Sequence, residues 1–138
     1  MICNNEKGTA FFGTALFIFG IVVIAMKTVL VRTKIPSNAI IWIQFERNGQ
    51  LEKHLLKQNE AKLIIDILDN HIEYYENYSC GFSSSLAVIV DDKSFYIASD
   101  GCPFLLDFST NRFITISKAE KKAMAKLFAE YGSIVFFE

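Results

Sequence analysis

The chain has 138 residues, a hydrophobic content of 51% and a formal net charge of −1 at pH 7. After Lys34 it carries 14 acidic and 10 basic residues, and because an acidic domain repels phosphate, this balance argues against nucleic-acid binding. The roughly 100 residues of this part suffice for one ordinary domain with a modest core.

An uncharged apolar segment, residues 9–26, follows a polar tail at residues 1–8. As a helix its 18 residues span about 27 Å, close to the thickness of the hydrocarbon core of a bilayer. The segment is longer than the apolar core of a signal peptide and runs into Lys27 without a small-residue cleavage site. It therefore predicts an uncleaved, single-pass transmembrane anchor in the cell membrane; a cleaved signal peptide and a buried helix are the alternatives.

Small residues recur on one side of this predicted membrane helix, at Thr9, Gly13 and Gly20. Small side chains let two helices approach closely, so these residues predict a weak homodimer contact. The alternative is that glycine and threonine are simply frequent in membrane helices.

A stem at residues 27–38 connects the anchor to a globular domain at residues 39–138. Lys27, Arg32 and Lys34 in the stem suit contact with anionic lipid headgroups, so the anchor is expected to contact membrane lipid.

The domain opens with a predicted β-hairpin. Strands at residues 39–47 and 50–56 flank Asn48-Gly49, which is the strongest short signal for a hairpin turn. Both faces of the first strand are apolar, so we expect it inside a sheet rather than at its edge.

A helix is predicted at residues 59–76, with Asn59 as its N-cap. Glu73 is expected on its polar side. A loop is predicted to follow the helix at residues 77–85. The residues expected on its buried side recur at three- and four-residue steps: Ala61, Ile64, Ile65, Leu68, Ile72 and Tyr75.

Further strands are predicted after this loop. The first pair, residues 86–90 and 95–98, is expected to turn at Asp92-Lys93, so that Asp91 pairs with Ser94. Another hairpin is expected from residues 104–108 and 112–116.

The last predicted helix has the clearest local signals of the domain. Ser117 and Glu120 have the spacing of a capping box, and Gly132 is placed to end the helix in the left-handed conformation. The residues expected on its buried side are Ala123, Met124, Leu127, Phe128 and Tyr131. Residues 134–137 are expected to add a last strand or to lie across the core. The pattern as a whole predicts an α+β domain, with a small antiparallel sheet of hairpins and two helices packed on one face.

Cys80 and Cys102 are predicted to form a disulfide, because the expected register brings them to the open end of one hairpin. The alternative is two buried free thiols, which are normal in a reducing compartment. The distribution of basic residues around the anchor favours a cytoplasmic domain, whereas a disulfide favours an extracytoplasmic one. We predict an extracytoplasmic domain.

Catalytic signals are weak in this sequence. A thiol nucleophile would need Cys80 to meet His71 and either Asp69 or Asp100, and nothing in their spacing requires this. The histidines and cysteines lack the spacing of a metal site, and the chain has no phosphate-binding loop, so neither a metal nor a cofactor is expected.

Aromatic residues gather around the end of the first helix, at Tyr74, Tyr75, Tyr78 and Phe82. Amphipathic aromatic side chains are enriched at binding surfaces, although packing within the domain is the alternative explanation. The sequence therefore predicts a non-catalytic, membrane-anchored domain that binds another protein. The alternatives are a membrane-bound inhibitor or immunity-type protein that neutralises a toxin or hydrolase, and a thiol-dependent enzyme using Cys80 or Cys102.

Overall fold

The computed structural model describes residues 34–75 and 78–134, all of which belong to the second of two units in the chain, Val31–Glu138. The predicted anchor at residues 9–26, with Thr9, Gly13 and Gly20, lies outside the described residues. So do the last four residues of the chain, 135–138, on which most of the predicted C-terminal strand falls. Within the described ranges, no helix is long and apolar enough to cross a membrane.

Seven strands and two helices make up the described domain. The elements are β1 (Ile41–Arg47), β2 (Gln50–Leu55), α1 (Gln58–Asp69), β3 (Glu73–Tyr74), β4 (Phe82–Val90), β5 (Lys93–Ala98), β6 (Phe104–Asp107), β7 (Arg112–Thr115) and α2 (Lys118–Glu130). All strands join one antiparallel sheet in the order β2-β1-β4-β5-β6-β7-β3. The predicted α+β class with an antiparallel sheet is confirmed.

The first hairpin forms as predicted. Asn48 and Gly49 have φ angles of 55° and 74°, the left-handed conformation that a tight hairpin turn of this type requires. β1 pairs with both β2 and β4, which confirms its position inside the sheet and leaves β2 as an edge strand.

The first helix begins and ends earlier than predicted. Lys57, not Asn59, is the N-cap, and its backbone N–H donates to the Glu60 carboxylate at 2.8 Å. At the other end the Asn70 side-chain amide donates to the carbonyl of Asp66 at 2.7 Å, which satisfies a helix-terminal acceptor and helps to end α1 at Asp69.

The prediction of helix beyond Asp69 was wrong, because Glu73 and Tyr74 pair with β7 as strand β3. Glu73, expected on a polar helix face, is buried with an exposed fraction of 2%. Ile72 and Tyr75, expected to be buried, are exposed. Strand pairing with a distant part of the chain overrides the helical pattern at these positions.

The predicted loop at residues 77–85 is only partly a loop. β4 already begins at Phe82, which pairs with Ala98 of β5, and the pairing shifts register before Ala87. The hairpin turn also lies one residue earlier than predicted. Val90 pairs with Lys93, and Asp91 takes a φ angle of 53°.

One hydrophobic core joins the sheet to both helices. Alternate residues of each central strand are buried in it, as Ile41, Ile43 and Phe45 of β1 illustrate. The helices contribute Ala61, Ile64, Ile67, Leu68, Met124, Leu127 and Phe128. Ile65, Ala123 and Tyr131, predicted on the buried sides, are only half-buried.

The capping box of the last helix is confirmed. Ser117 Oγ accepts a hydrogen bond from the Glu120 N–H at 3.2 Å, and the Glu120 carboxylate accepts from the Ser117 N–H at 2.7 Å. Gly132 follows the helix with a φ angle of 95°, as predicted. The Tyr131 hydroxyl donates to Glu60 of α1 at 2.6 Å, and this bond raises the pKa of Tyr131 to about 12.

The stability of the domain depends on these features of α2. Leu127→Ala should lower the free energy of unfolding by about 2–5 kcal/mol, because it leaves a cavity in the core. Ser117→Ala should lower it by about 0.5–2 kcal/mol through loss of the cap. Denaturant titration measures both, with the exposed Lys122→Ala on the same helix as a control. Equal stability of Leu127→Ala and the control would contradict the assigned core.

Candidate functional site

Cys80 and Cys102 form a disulfide, and their Cα atoms are 6.1 Å apart, within the range that such a bond allows. The bond joins the segment before β4 to the turn between β5 and β6. It forms although the predicted register was wrong: Phe82 pairs with Ala98, and the pairing shifts register before Ala87.

Hydrogen bonds reinforce this junction on both sides of the disulfide. The Asp100 carboxylate accepts from the backbone N–H groups of Gly81 and Cys102, and the Ser99 N–H donates to the Gly81 carbonyl at 3.1 Å. Lys121 of α2 adds a further bond, from its ammonium to the Cys102 carbonyl at 3.0 Å. The segment around Cys80 is therefore fixed to the β5–β6 turn by covalent and polar contacts together.

Lys121 is an unusual member of this group, because its side chain is buried, with an exposed fraction of 8%. Desolvation lowers the pKa of Lys121, and the nearby Asp100 carboxylate acts in the opposite direction. The last helix thus places an ammonium group at the Cys102 backbone carbonyl.

Three of the four aromatic residues singled out in the sequence come together beside this junction. Tyr74, Tyr78 and Phe82 pack with Phe104 and Phe113, and we call these five residues the aromatic cluster. The Tyr78 ring stacks on Phe104 with centroids 4.0 Å apart and meets the Phe113 ring edge-on at 5.1 Å. Phe82 and Tyr74 complete the cluster, at 5.7 Å from Phe113 and 6.3 Å from Tyr78.

The aromatic cluster lies on the face of the sheet that points away from the core. Phe113 is next to the core residue Ile114 and pairs with Tyr74, while Ile114 pairs with the buried Glu73. Neighbouring residues of a strand point to opposite faces, so the core and the cluster occupy opposite sides of β7.

Tyr75 does not join the aromatic cluster. Its ring is exposed, and the ring centroid lies 4.8 Å from the guanidinium carbon of Arg112. Arg112 Nη1 lies 3.8 Å from Oε2 of the buried Glu73. Tyr75 was grouped with Tyr74 and Tyr78 because these residues are close in the sequence, but its ring contacts Arg112 instead.

An adjoining aromatic pair was missed in the sequence. Tyr96 and Phe108 stack with centroids 5.0 Å apart, and Phe108 has an exposed fraction of 64%. Leu106 pairs with Tyr96 on one side and with Phe113 on the other, so the pair is continuous with the aromatic cluster. The alternation of side chains along a strand could have indicated this pair, since Tyr96 lies between the buried Phe95 and Ile97 and therefore points to the opposite face.

Trp42 and Lys53 lie further along the same face. The Lys53 ammonium is 5.2 Å from the centroid of the Trp42 ring, a cation–π contact at the β2 end of the sheet. Gln44 pairs with both Lys53 and Ala87, and Ala87 pairs with Tyr96, which connects this end to the aromatic pair.

Of the residues considered for thiol catalysis, Asp100 lies near Cys80, whereas Cys80, His71 and Asp69 are each bound to other partners. Cys80 is bonded to Cys102, His71 lies 2.8 Å from the Glu120 carboxylate, and Asp69 accepts the backbone N–H of Ile35 at 2.6 Å. Burial acts to raise the pKa of Glu120, but the hydrogen bonds from Ser117 and His71 outweigh it and lower that pKa. His71 and Glu120 thus connect the end of α1 to the start of α2.

One group of metal-ligand type occurs in the described part of the chain. The ligand atoms of Cys80, Asp100 and Cys102 lie within 4.8 Å of one another. Because the two sulfurs are bonded to each other, they do not act as the thiolates that a metal ion would require.

A shallow cleft of about 590 Å³ lies between the residues before β1 and the side of α1. Lys62 and Asp66 line it and form an ion pair with each other at 2.6 Å. The Asp69 carboxylate, which also lines it, accepts a hydrogen bond from the backbone N–H of Ile35. Its acidic groups already have partners within the domain.

Comparison of this chain with models of protein families, with curated proteins and with solved structures finds no match.

The packing of Tyr78 predicts its contribution to stability. Tyr78→Ala should lower the free energy of unfolding by about 2–3 kcal/mol, because the ring loses its contacts with Phe104 and Phe113. Tyr75→Ala is the matched control and should cost less than about 1 kcal/mol, since this ring is exposed and has one cation–π contact. Thermal or denaturant unfolding compares them, and a smaller loss for Tyr78→Ala than for Tyr75→Ala would contradict the cluster.

Proposed function

We propose that this chain is a single-pass membrane protein whose α+β domain binds another protein without catalysing a reaction. The binding surface is the aromatic cluster together with Tyr96 and Phe108. The observation that supports it is the continuity of aromatic side chains on the sheet face away from the core, ending in the exposed ring of Phe108.

Aromatic side chains suit such a surface because each ring gives a large contact area and has few torsions to immobilise on binding. The disulfide adds to this advantage. It holds the segment that follows Tyr78 before a partner arrives, so less ordering has to accompany binding.

The disulfide also supports an extracytoplasmic position for the domain. Disulfides persist in oxidising compartments and are rare where thiols are kept reduced. The anchor at residues 9–26 is the part of the proposal that links the domain to the membrane, and its support is the length and apolar character of that segment.

Carbonate extraction tests the anchor. The full chain should remain in the membrane fraction at high pH, and its intact mass should include residues 1–26, because an uncleaved apolar helix holds it in the bilayer. A soluble product that begins near residue 27 would show a cleaved signal peptide instead.

Site-specific photo-crosslinking tests the binding surface. A photoreactive amino acid in place of Phe108, in full-length protein in the membranes of cells that produce it, should give one discrete adduct with another protein. The same amino acid in place of Ile72, an exposed apolar residue in the α1–β3 connection, is the matched control and should not give that adduct.

The adduct at position 108 should also weaken when Tyr96 is replaced by alanine, because Tyr96 supports the Phe108 ring. Identical adducts from positions 108 and 72, or none from position 108, would contradict the assigned surface.

A further inference from the structure

Four apolar side chains meet at one corner of the sheet, on the face that points away from the core. Trp42 of β1 pairs with Leu55 of β2 and with Ile89 of β4, and Ile40 precedes Trp42 by two residues. We call these four residues the apolar corner. Ile40 and Leu55 have exposed fractions of 57% and 52%, and Trp42 and Ile89 are half-buried. Exposed apolar patches of this kind mark surfaces that bind proteins or membranes.

The polar groups at the apolar corner have the chemistry of a bilayer interface. The Lys53 ammonium lies 5.2 Å from the centroid of the Trp42 ring, and the exposed Lys57 follows Leu55 by two residues. Tryptophan is enriched where a membrane meets water, and lysine extends its ammonium from an apolar surface towards lipid phosphates. The Asp91 carboxylate, at the same end of the sheet, accepts the Ile40 N–H at 2.9 Å.

The chain enters the domain close to the apolar corner. The Ile35 side chain is buried in the core and its N–H donates to Asp69, which fixes the entry point. A turn closed by the Ala39 N–H and the Pro36 carbonyl, at 3.0 Å, leads from there to Ile40.

The tether between this entry point and the proposed anchor is short. Residues 27–33 lie between the anchor and the described part of the chain. Fully extended, at about 3.6 Å per residue, they span at most about 25 Å. A tether of this length keeps the lipid surface at a high effective concentration around the domain, so even weak contacts suffice for docking.

We propose that the apolar corner docks the domain on the bilayer that holds the anchor. Ile40, Trp42 and Leu55 enter the interfacial layer of the phospholipid, and Lys53 lies among the lipid phosphates. This inference rests on the anchor in the proposed function and adds a second contact with the membrane.

Docking at the apolar corner sets the orientation of the aromatic cluster. β4 carries Phe82 of the cluster at its first position and Ile89 of the corner near its end. At about 3.3 Å per residue, these two positions are roughly 20 Å apart along the strand. The aromatic cluster therefore lies away from the bilayer, where a protein partner can reach it.

The fluorescence of Trp42 tests the docking directly, because Trp42 is the only tryptophan in the chain. The full chain is reconstituted, without any other protein, in vesicles of three parts phosphatidylcholine to one part phosphatidylglycerol. Phosphatidylcholine brominated on its acyl chains near the headgroup should remove at least about half of the emission, because a tryptophan in the interfacial layer contacts this quencher. Equal emission in plain and brominated vesicles would overturn the proposal. A second copy of the chain or a protein partner on the corner would give that result.

Leu51 provides the matched control position. It lies on the same strand as Leu55, four residues away at the turn end of β2, and has an exposed fraction of 59%. In the double variant Trp42→Phe, Leu51→Trp, brominated lipid should remove much less of the emission. Equal losses at positions 42 and 51 would overturn the assignment of the contact to the apolar corner.

Two aspartate substitutions test the contribution of the corner. Leu55→Asp should abolish most of the quenching of Trp42, because a carboxylate resists entry into the apolar layer. Leu51→Asp makes the same charge change on the same strand and should leave the quenching unchanged. Quenching that survives Leu55→Asp, or that both substitutions remove equally, would overturn the proposal.

Sedimentation of the same vesicles at high pH separates this inference from the proposed function. A chain that remains with the vesicles while its Trp42 is not quenched would overturn the docking alone. Release of the chain would count against the anchor and against the docking that rests on it. The crosslink at position 108 bears on protein binding only, because the vesicles contain no partner protein.

Discussion

The alternation of side chains along antiparallel strands is the constraint on which the rest of the structure depends. Ile41 and Ile43 are buried in the core that both helices share, and Trp42 between them is therefore directed to the other face. The same rule applies at β7, where Ile114 enters the core and Phe113 joins the aromatic cluster. The core and the candidate binding surface thus both follow from the alternation of side chains along the strands. A slip of one residue in register would turn the core side chains of a strand to the outer face and its outer side chains to the core.

Local chemistry made parts of the fold predictable from the sequence. The Asn48-Gly49 turn and the Ser117 cap each depend on atoms within a few residues, so short motifs were enough to find them. The end of α1 was not predictable in this way. Glu73 and Tyr74 continue the helical pattern. Only their pairing with β7 makes them a strand, and Ile114, the partner of Glu73, lies 41 residues later in the chain.

Only the part of the candidate site whose residues are close together in the sequence could be predicted. The sequence singled out Tyr74, Tyr78 and Phe82 because they are close together in the chain, but it could not place Phe104 and Phe113 beside them. These contacts depend on long-range register, which also decides that Tyr75 faces Arg112 instead. Lys121 was missed for the same reason, since a lysine between Glu120 and Lys122 on a helix resembles an ordinary exposed residue.

The two edges of the sheet differ in length, and this difference bears on solubility. β3 has only two residues, whereas β2 has six, and Leu51 and Leu55 of β2 are both exposed. An open strand with apolar side chains is a template for pairing with other chains. Lys53 lies between these leucines, and a lysine in the middle of an edge strand disfavours such pairing. The side chain that contacts Trp42 therefore also opposes aggregation of the domain through its longer edge.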